Sequence, residues 1–220
     1  MLELLKKQNR LKISTLLAVM SFSSFLLSLL RVYLTGSKLF LFLNWNLFLA
    51  FIPLFFSTLI VLNPKMKNKK LPLILLLILW ILFFPNALYI ITDLFHLRIH
   101  SLMPAWFDLI LILSFAWTGF LFGFLSLIDI ENLLSEYTNT KFISLISVFL
   151  LFAASFGIYL GRYLRWNSWD IIISPFALIN DIIERFINPF SHTGTWGMTI
   201  LFGLLLNMFY WSIKFLKSEK

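Results

Sequence analysis

Cysteine is absent from the 220 residues. Its absence removes disulfides, thiolate nucleophiles, iron–sulfur clusters and cysteine-based zinc sites. Charge is scarce as well. Only 13% of residues are charged, where a soluble globular domain carries roughly 25%, too few to clothe a water-facing surface. Acidic residues are the scarcer sign, ten against eighteen basic, for a formal net charge of +8. In a soluble chain that excess would suggest nucleic acid. Here the basic residues fall in short segments beside apolar runs, which points to membrane orientation and anionic headgroups instead. No nucleic-acid partner is expected, and membrane lipids are. Walker loops, nucleophile elbows and zinc-protease motifs are missing too, and no Ser, His and Asp spacing singles out a triad.

What fills the chain is hydrocarbon: 60% hydrophobic residues, 26 of them Phe, and a mean hydropathy of +0.90. The runs are long enough for a bilayer to be their solvent. Six are read as spans: 13–34, 39–62, 71–91, 106–128, 142–161 and 196–216. The first follows Lys6, Lys7, Arg10 and Lys12, but it is too long for a signal-peptide core and no small-residue cleavage pattern follows, so it is expected to be retained. Asp129, Glu131 and Glu136 are expected in a short acidic loop after the fourth. The predicted architecture is an all-α polytopic membrane helix bundle of about six transmembrane helices, a single membrane domain over 1–220.

Orientation follows from Lys and Arg on alternate sides. With the N-terminus inside, the inner segments hold Lys6, Lys7, Arg10, Lys12, four lysines from Lys65 to Lys70, Lys141, Lys214, Lys217 and Lys220. The outer segments hold half as many: Arg31, Lys38, Arg98, Arg162, Arg165 and Arg185. Both termini are therefore expected in the cytoplasm, with the protein in the cell membrane. Residues 174–188 do not span. Phe176, Leu178, Ile179, Ile182, Ile183, Phe186 and Ile187 share one helical face, and Asn180, Asp181, Glu184 and Arg185 the other. Ser174-Pro175 has the form of an N-cap followed by proline at the first helical position. A rise of about 21 Å is too short for hydrocarbon roughly 30 Å thick. The segment is expected to lie as an amphipathic helix in the outer interface, or to pack on the bundle surface.

The third span carries the most informative pattern. At about 100° per residue, Asn86, Tyr89, Asp93, His96 and His100 share an arc of about 80°. Such a stripe faces protein or water rather than lipid. It begins about 22 Å above Leu71 and reaches about 33 Å at Asp93, so it climbs from the outer leaflet into the interface. Pro85 is expected to kink the helix below it. Asp93, His96 and His100 have the same-face spacing of a divalent-metal site, with Asp108 or His192 as a further ligand, or else are hydrogen-bonded interface residues. Arg162 and Arg165 end the fifth span at the same level, on one helical face, followed by Asn167 and Asp170. Two guanidinium forks suit a phosphate, and they equally suit snorkelling anchors or ion pairs. Gly119-x-x-x-Gly123 and Gly157-x-x-x-Gly161 allow close helix approach.

Residues 85–97, from Pro85-Asn86-Ala87-Leu88-Tyr89 through Asp93 and His96, resemble the signature of a bacterial membrane family called domain of unknown function thirteen-sixty-one. Residues 161–170 resemble its second signature, and Trp106-Phe107-Asp108-Leu109 also fits. The family often has a second proline where Leu88 stands, a departure that leaves the helix less broken here. The resemblance implies a bacterial integral membrane protein and its motif residues, and no activity.

Three function classes follow. In the first, the chain is an enzyme acting on a lipid or lipid-linked phosphate at the outer leaflet. Arg162 and Arg165 hold the phosphate, with Asn167 and Asp170 in the same substrate-binding segment. Asn86 and Tyr89 orient the substrate. Asp93 or His96 acts as general base, or with His100 holds a metal. In the second, it is a transporter or substrate-binding subunit whose third helix lines a polar cavity. In the third, it is an assembly partner, for a second membrane protein or as a homo-oligomer.

Overall fold

In the computed structural model, residues 10–63, 65, 69–97 and 102–218 are described. Among them every regular element is helical, and six helices are long and apolar enough to cross a membrane. This is the architecture of a multi-pass membrane protein. Two compact units divide the chain, Met1–Leu133 and Leu134–Lys220.

The first unit holds α1 (Leu11–Thr35), α2 (Phe42–Leu62), α3 (Lys70–Tyr89), a 3-10 segment (Ile90–His96) and α4 (Ala105–Leu134). α1 stops at Gly36, whose φ of 66° lets its N–H return to the Val32 carbonyl at 2.8 Å. α4 is the enclosed helix of the unit. Its Leu111, Ile112, Phe115, Ala116 and Phe122 pack with Leu43, Leu47, Ala50 and Leu54 of α2 and with Ala87 and Ile90. The first glycine pair works as its spacing predicts. A Cβ at Gly119 would stand 2.8 Å from the Ala87 carbonyl oxygen, and one at Gly123 3.0 Å from Leu88 Cδ2. Bare backbone on α4 is what lets α3 lie this close. Leu88 is itself fully buried, and its side chain fills the groove over Gly123.

α4 is longer than the apolar run predicts. Asp129 and Glu131 are not in a loop: they lie inside the helix and are buried. The reason is pairing, since Asp129 accepts from Arg10, the N-cap residue of α1, and from Ser57 Oγ at 2.7 Å. At the other end Arg31 Nε donates to Asp108 Oδ1 at 2.6 Å. α1 and α4 therefore run antiparallel and are tied twice. Twenty-one residues separate Arg10 from Arg31, and 21 separate Asp108 from Asp129. That is about 32 Å of helix, close to the roughly 30 Å of a bilayer's hydrocarbon. Between the two ties α1 carries one charge, Lys12, two residues from Arg10, and the 18 residues from Ile13 to Leu30 carry none.

The second unit holds α5 (Thr140–Tyr163), a single turn α6 (Asp170–Ile173), α7 (Pro175–Ile187), a 3-10 turn (Pro189–His192) and α8 (Thr193–Ser218). Asn139 caps α5 by accepting from the Phe142 N–H at 2.9 Å. Gly203 of α8 admits the ring of Phe152, which would lie 2.2 Å from any Cβ there. Phe156, Phe186 and Trp196 join α5, α7 and α8 in one aromatic cluster, with Phe186 edge-on to Trp196 at 5.0 Å. α7 is amphipathic over the predicted residues. Ser174 is its N-cap residue and Pro175 its first, but the serine hydroxyl makes no capping bond.

Candidate functional site

The end of α3 departs from a regular helix where the polar stripe lies. Pro85 removes one backbone donor, yet α3 continues to Tyr89. From Ile90 to His96 the chain then tightens to three residues per turn. Seven residues of 3-10 helix is long for that form, which places i and i+3 one above the other. The Thr92 hydroxyl supports the turn by donating to the Tyr89 carbonyl at 2.7 Å. A stripe drawn at 100° per residue therefore ends at Ile90. Beyond it Asp93 and His96 align with each other, and Asn86 and Tyr89, both half-buried, sit on the α-helical part below.

Asp93 is buried, its side chain 1% exposed, while the His96 side chain is 41% exposed. Asp93 Oδ1 lies 3.8 Å from His96 Nδ1. The other carboxylate oxygen accepts from Asn46 Nδ2 of α2 at 2.8 Å. The imidazole leans on the Phe42 ring, with centroids 5.1 Å apart. The arrangement is a carboxylate held by Asn46 with an imidazole beside it, Nδ1 toward the carboxylate at 3.8 Å. Phe42 also meets Phe40, and the guanidinium of Arg31 lies 4.4 Å over the Phe40 ring. The buried Arg31–Asp108 pair thus shares this end of the unit with the Asp93–His96 pair.

Of the predicted metal ligands, Asp93 and His96 come together, and His100 lies outside the described residues. Among the described residues no three His, Asp or Glu side chains are placed to hold a metal.

The predicted phosphate ligands belong to the second unit, and there the helical-face argument needs correction. α5 ends at Tyr163, so Arg162 is helical while Arg165 lies beyond the end with φ at 62°. That left-handed position usually falls to Gly or Asn. It lets the Trp166 N–H return to the Leu160 carbonyl at 3.2 Å. Asn167 and Asp170 close a local turn, the carboxylate accepting from the Asn167 backbone at 2.7 Å and its side-chain amide at 3.2 Å. Trp166 Nε1 donates to Asp181 of α7 at 2.7 Å. The second signature is thus in part the hinge that carries the chain from α5 to α7.

Three partners escaped the sequence reading. Asn46 carried no assignment, Arg31 stood only as a charge on the outer side, and Asp129 as a loop residue. The available signal was the rarity of such groups inside apolar helices. Comparison with known proteins adds a family model described as protein of unknown function (DUF1361), which matches residues 45–209. No solved structure matches the chain.

Proposed function

This chain belongs to the DUF1361 family of proteins of unknown function, and with no activity to inherit from that membership we propose that it is a multi-pass membrane enzyme that hydrolyses a lipid or lipid-linked phosphate ester at the membrane boundary. The observation that carries the reading is the buried Asp93 carboxylate, held by Asn46 and set 3.8 Å from Nδ1 of a half-exposed His96. In this reading Asp93 orients the imidazole and stabilises its protonated form. His96 Nε2 takes a proton from water, the hydroxide forms a new P–O bond, and the proton passes to the leaving alkoxide as the ester P–O bond breaks. A separation of 3.8 Å suits a resting enzyme, in which such bonds are long before substrate arrives. Asn86 and Tyr89, on the turn before, are offered as substrate contacts. Arg162 and Arg165 are offered as headgroup contacts of the second unit. The twin Arg–Asp ties between α1 and α4 favour a fixed scaffold over the rocking that transport requires.

The test is phosphate release from phosphatidic acid and polyprenyl-phosphate substrates by purified protein in bilayers. His96→Ala and Asp93→Asn are each expected to lower turnover by about 10²–10⁴-fold. Activity that persists unchanged in both variants defeats the assignment.

A further inference from the structure

A second polar cluster lies in the second unit, where α7 gives way to α8. Arg185, near the end of α7, is 6% exposed, and Thr195, in the first turn of α8, is fully buried. His192 stands between them in the 3-10 turn. Arg185 Nε, His192 Nε2 and Thr195 Oγ1 are all buried, and none is hydrogen-bonded to another group of the described protein. Two contacts tie the end of α7 to the turn and to the start of α8. The Arg185 carbonyl accepts from Trp196 Nε1 at 3.1 Å, and Glu184 Oε1 lies 3.5 Å from His192 Nε2.

Every one of the three atoms can donate: the guanidinium Nε–H always, the hydroxyl by rotation, the imidazole in its Nε2–H form. Buried donors are almost always matched, and leaving several unmatched within eleven residues is costly. What matches them is a group with several acceptor oxygens. Of the acids nearby, Glu184 Oε1 approaches His192 Nε2 to 3.5 Å without a hydrogen bond, and Asp181 lies on the other side of the guanidinium. Asp181 takes Arg185 Nη1, through its carbonyl and a carboxylate oxygen 3.5 Å away, and leaves the Nε edge unused. Glu184 is mostly exposed beside His192. A fixed guanidinium edge with a hydroxyl and an imidazole is the donor set of a phosphate site. The positive end of the 26-residue α8 dipole adds to it.

The setting names the source of the phosphate. α7 exposes Phe176, Ile179, Ile183, Phe186 and Ile187 along its apolar side, and its 13 residues rise only about 20 Å. A short helix of this kind rests among headgroups. We propose that Arg185, His192 and Thr195 form an anionic phosphate subsite, occupied by the headgroup of a membrane phospholipid, whose chemistry inorganic phosphate shares. The subsite is read out by binding and stands or falls apart from the Asp93–His96 reaction.

The experiment is native mass spectrometry of the full chain released from mixed phosphatidylcholine–phosphatidylglycerol nanodiscs, with melting in neutral detergent against inorganic phosphate. Wild type is expected to retain phosphatidylglycerol in preference to phosphatidylcholine. Thr195→Val keeps the side-chain shape and deletes one hydrogen bond to a charged group, so it should lower that retention about tenfold. Arg185→Gln should abolish it. If Arg185→Gln does not fold, Thr195→Val carries the test alone. A phosphate-dependent rise in Tm that Thr195→Val removes, without any lipid preference, assigns the subsite to soluble phosphate. A Thr195→Val protein that melts higher and retains lipid like wild type overturns the proposal, as does a wild type that responds to neither probe.

Discussion

Arg31 and Asp108 show at the scale of single residues how a charge survives inside this protein. Both side chains are almost fully enclosed, at 2% and 0% exposure. The guanidinium reaches both carboxylate oxygens, at 2.6 and 3.3 Å, and rests on Phe40. Neither ion tolerates the loss of the other, because water is not at hand to replace it. Asp108→Ala is expected to destabilise the protein by about 3–5 kcal/mol, the penalty of an orphaned buried charge. Replacing both, as Arg31→Met with Asp108→Leu, should cost much less, since the pair's desolvation is then avoided. Melting of the three proteins in one detergent checks the order, and a double variant less stable than Asp108→Ala contradicts it. Arg165 poses the opposite case. Its left-handed backbone costs about 1–2 kcal/mol that glycine escapes. Arg165→Gly should therefore raise stability by about 1 kcal/mol while weakening adhesion to anionic vesicles. A variant that melts lower shows instead that the arginine side chain makes contacts worth more than the strain.

At the scale of elements, the site depends on how closely α3 can approach α4. Gly119 faces a backbone oxygen, not a flexible side chain, so a methyl group there cannot be accommodated by a rotamer change. Gly119→Ala is expected to cost about 1–3 kcal/mol. It should also shift Ile90, the first residue of the 3-10 segment that bears Asp93 and His96. Turnover should then fall even where the protein remains folded, measured on a population shown monodisperse by gel filtration. Undiminished turnover together with a lower Tm uncouples the packing from the site. The elements themselves were legible in advance. Six apolar runs and one amphipathic stretch become six long helices and α7, since lipid demands length and periodicity that local composition displays. Long-range pairing was not legible. Nothing near Asn46 announces that it will meet Asp93, 47 residues on, and nothing in the local run after Ile128 announces that Asp129 will be drawn into the helix by Arg10. The change from α to 3-10 geometry at Ile90 was equally hidden. A fixed angle per residue assumes one helix type, so the stripe from Asn86 to His96 was placed on the right element and given the wrong turn.

At the scale of the whole molecule, the two Arg–Asp ties make a claim about where the bilayer lies. Their separation along α1 and α4 matches the hydrocarbon thickness, and we propose that Arg10 and Asp129 mark one boundary and Arg31 and Asp108 the other. The excess of Lys and Arg on the Arg10 side leads us to propose that this side is the cytoplasmic one. Because the chain has no cysteine, a single introduced thiol reports its own position without background. Ser37→Cys, one residue beyond the Gly36 cap of α1, is expected to react with a membrane-impermeant maleimide in intact cells. Asn63→Cys, at the far end of α2, is expected to react only after the cells are opened. The reverse pattern inverts the orientation and moves the Asp93–His96 pair to the cytoplasmic face, where its substrate would have to be a different pool of lipid. Labelling of Ser23→Cys, between the two ties on an exposed residue of α1, completes the measurement. It should resist the reagent on both sides, and a thiol there that reacts as readily as the one at position 37 removes the bilayer from between the two ion pairs.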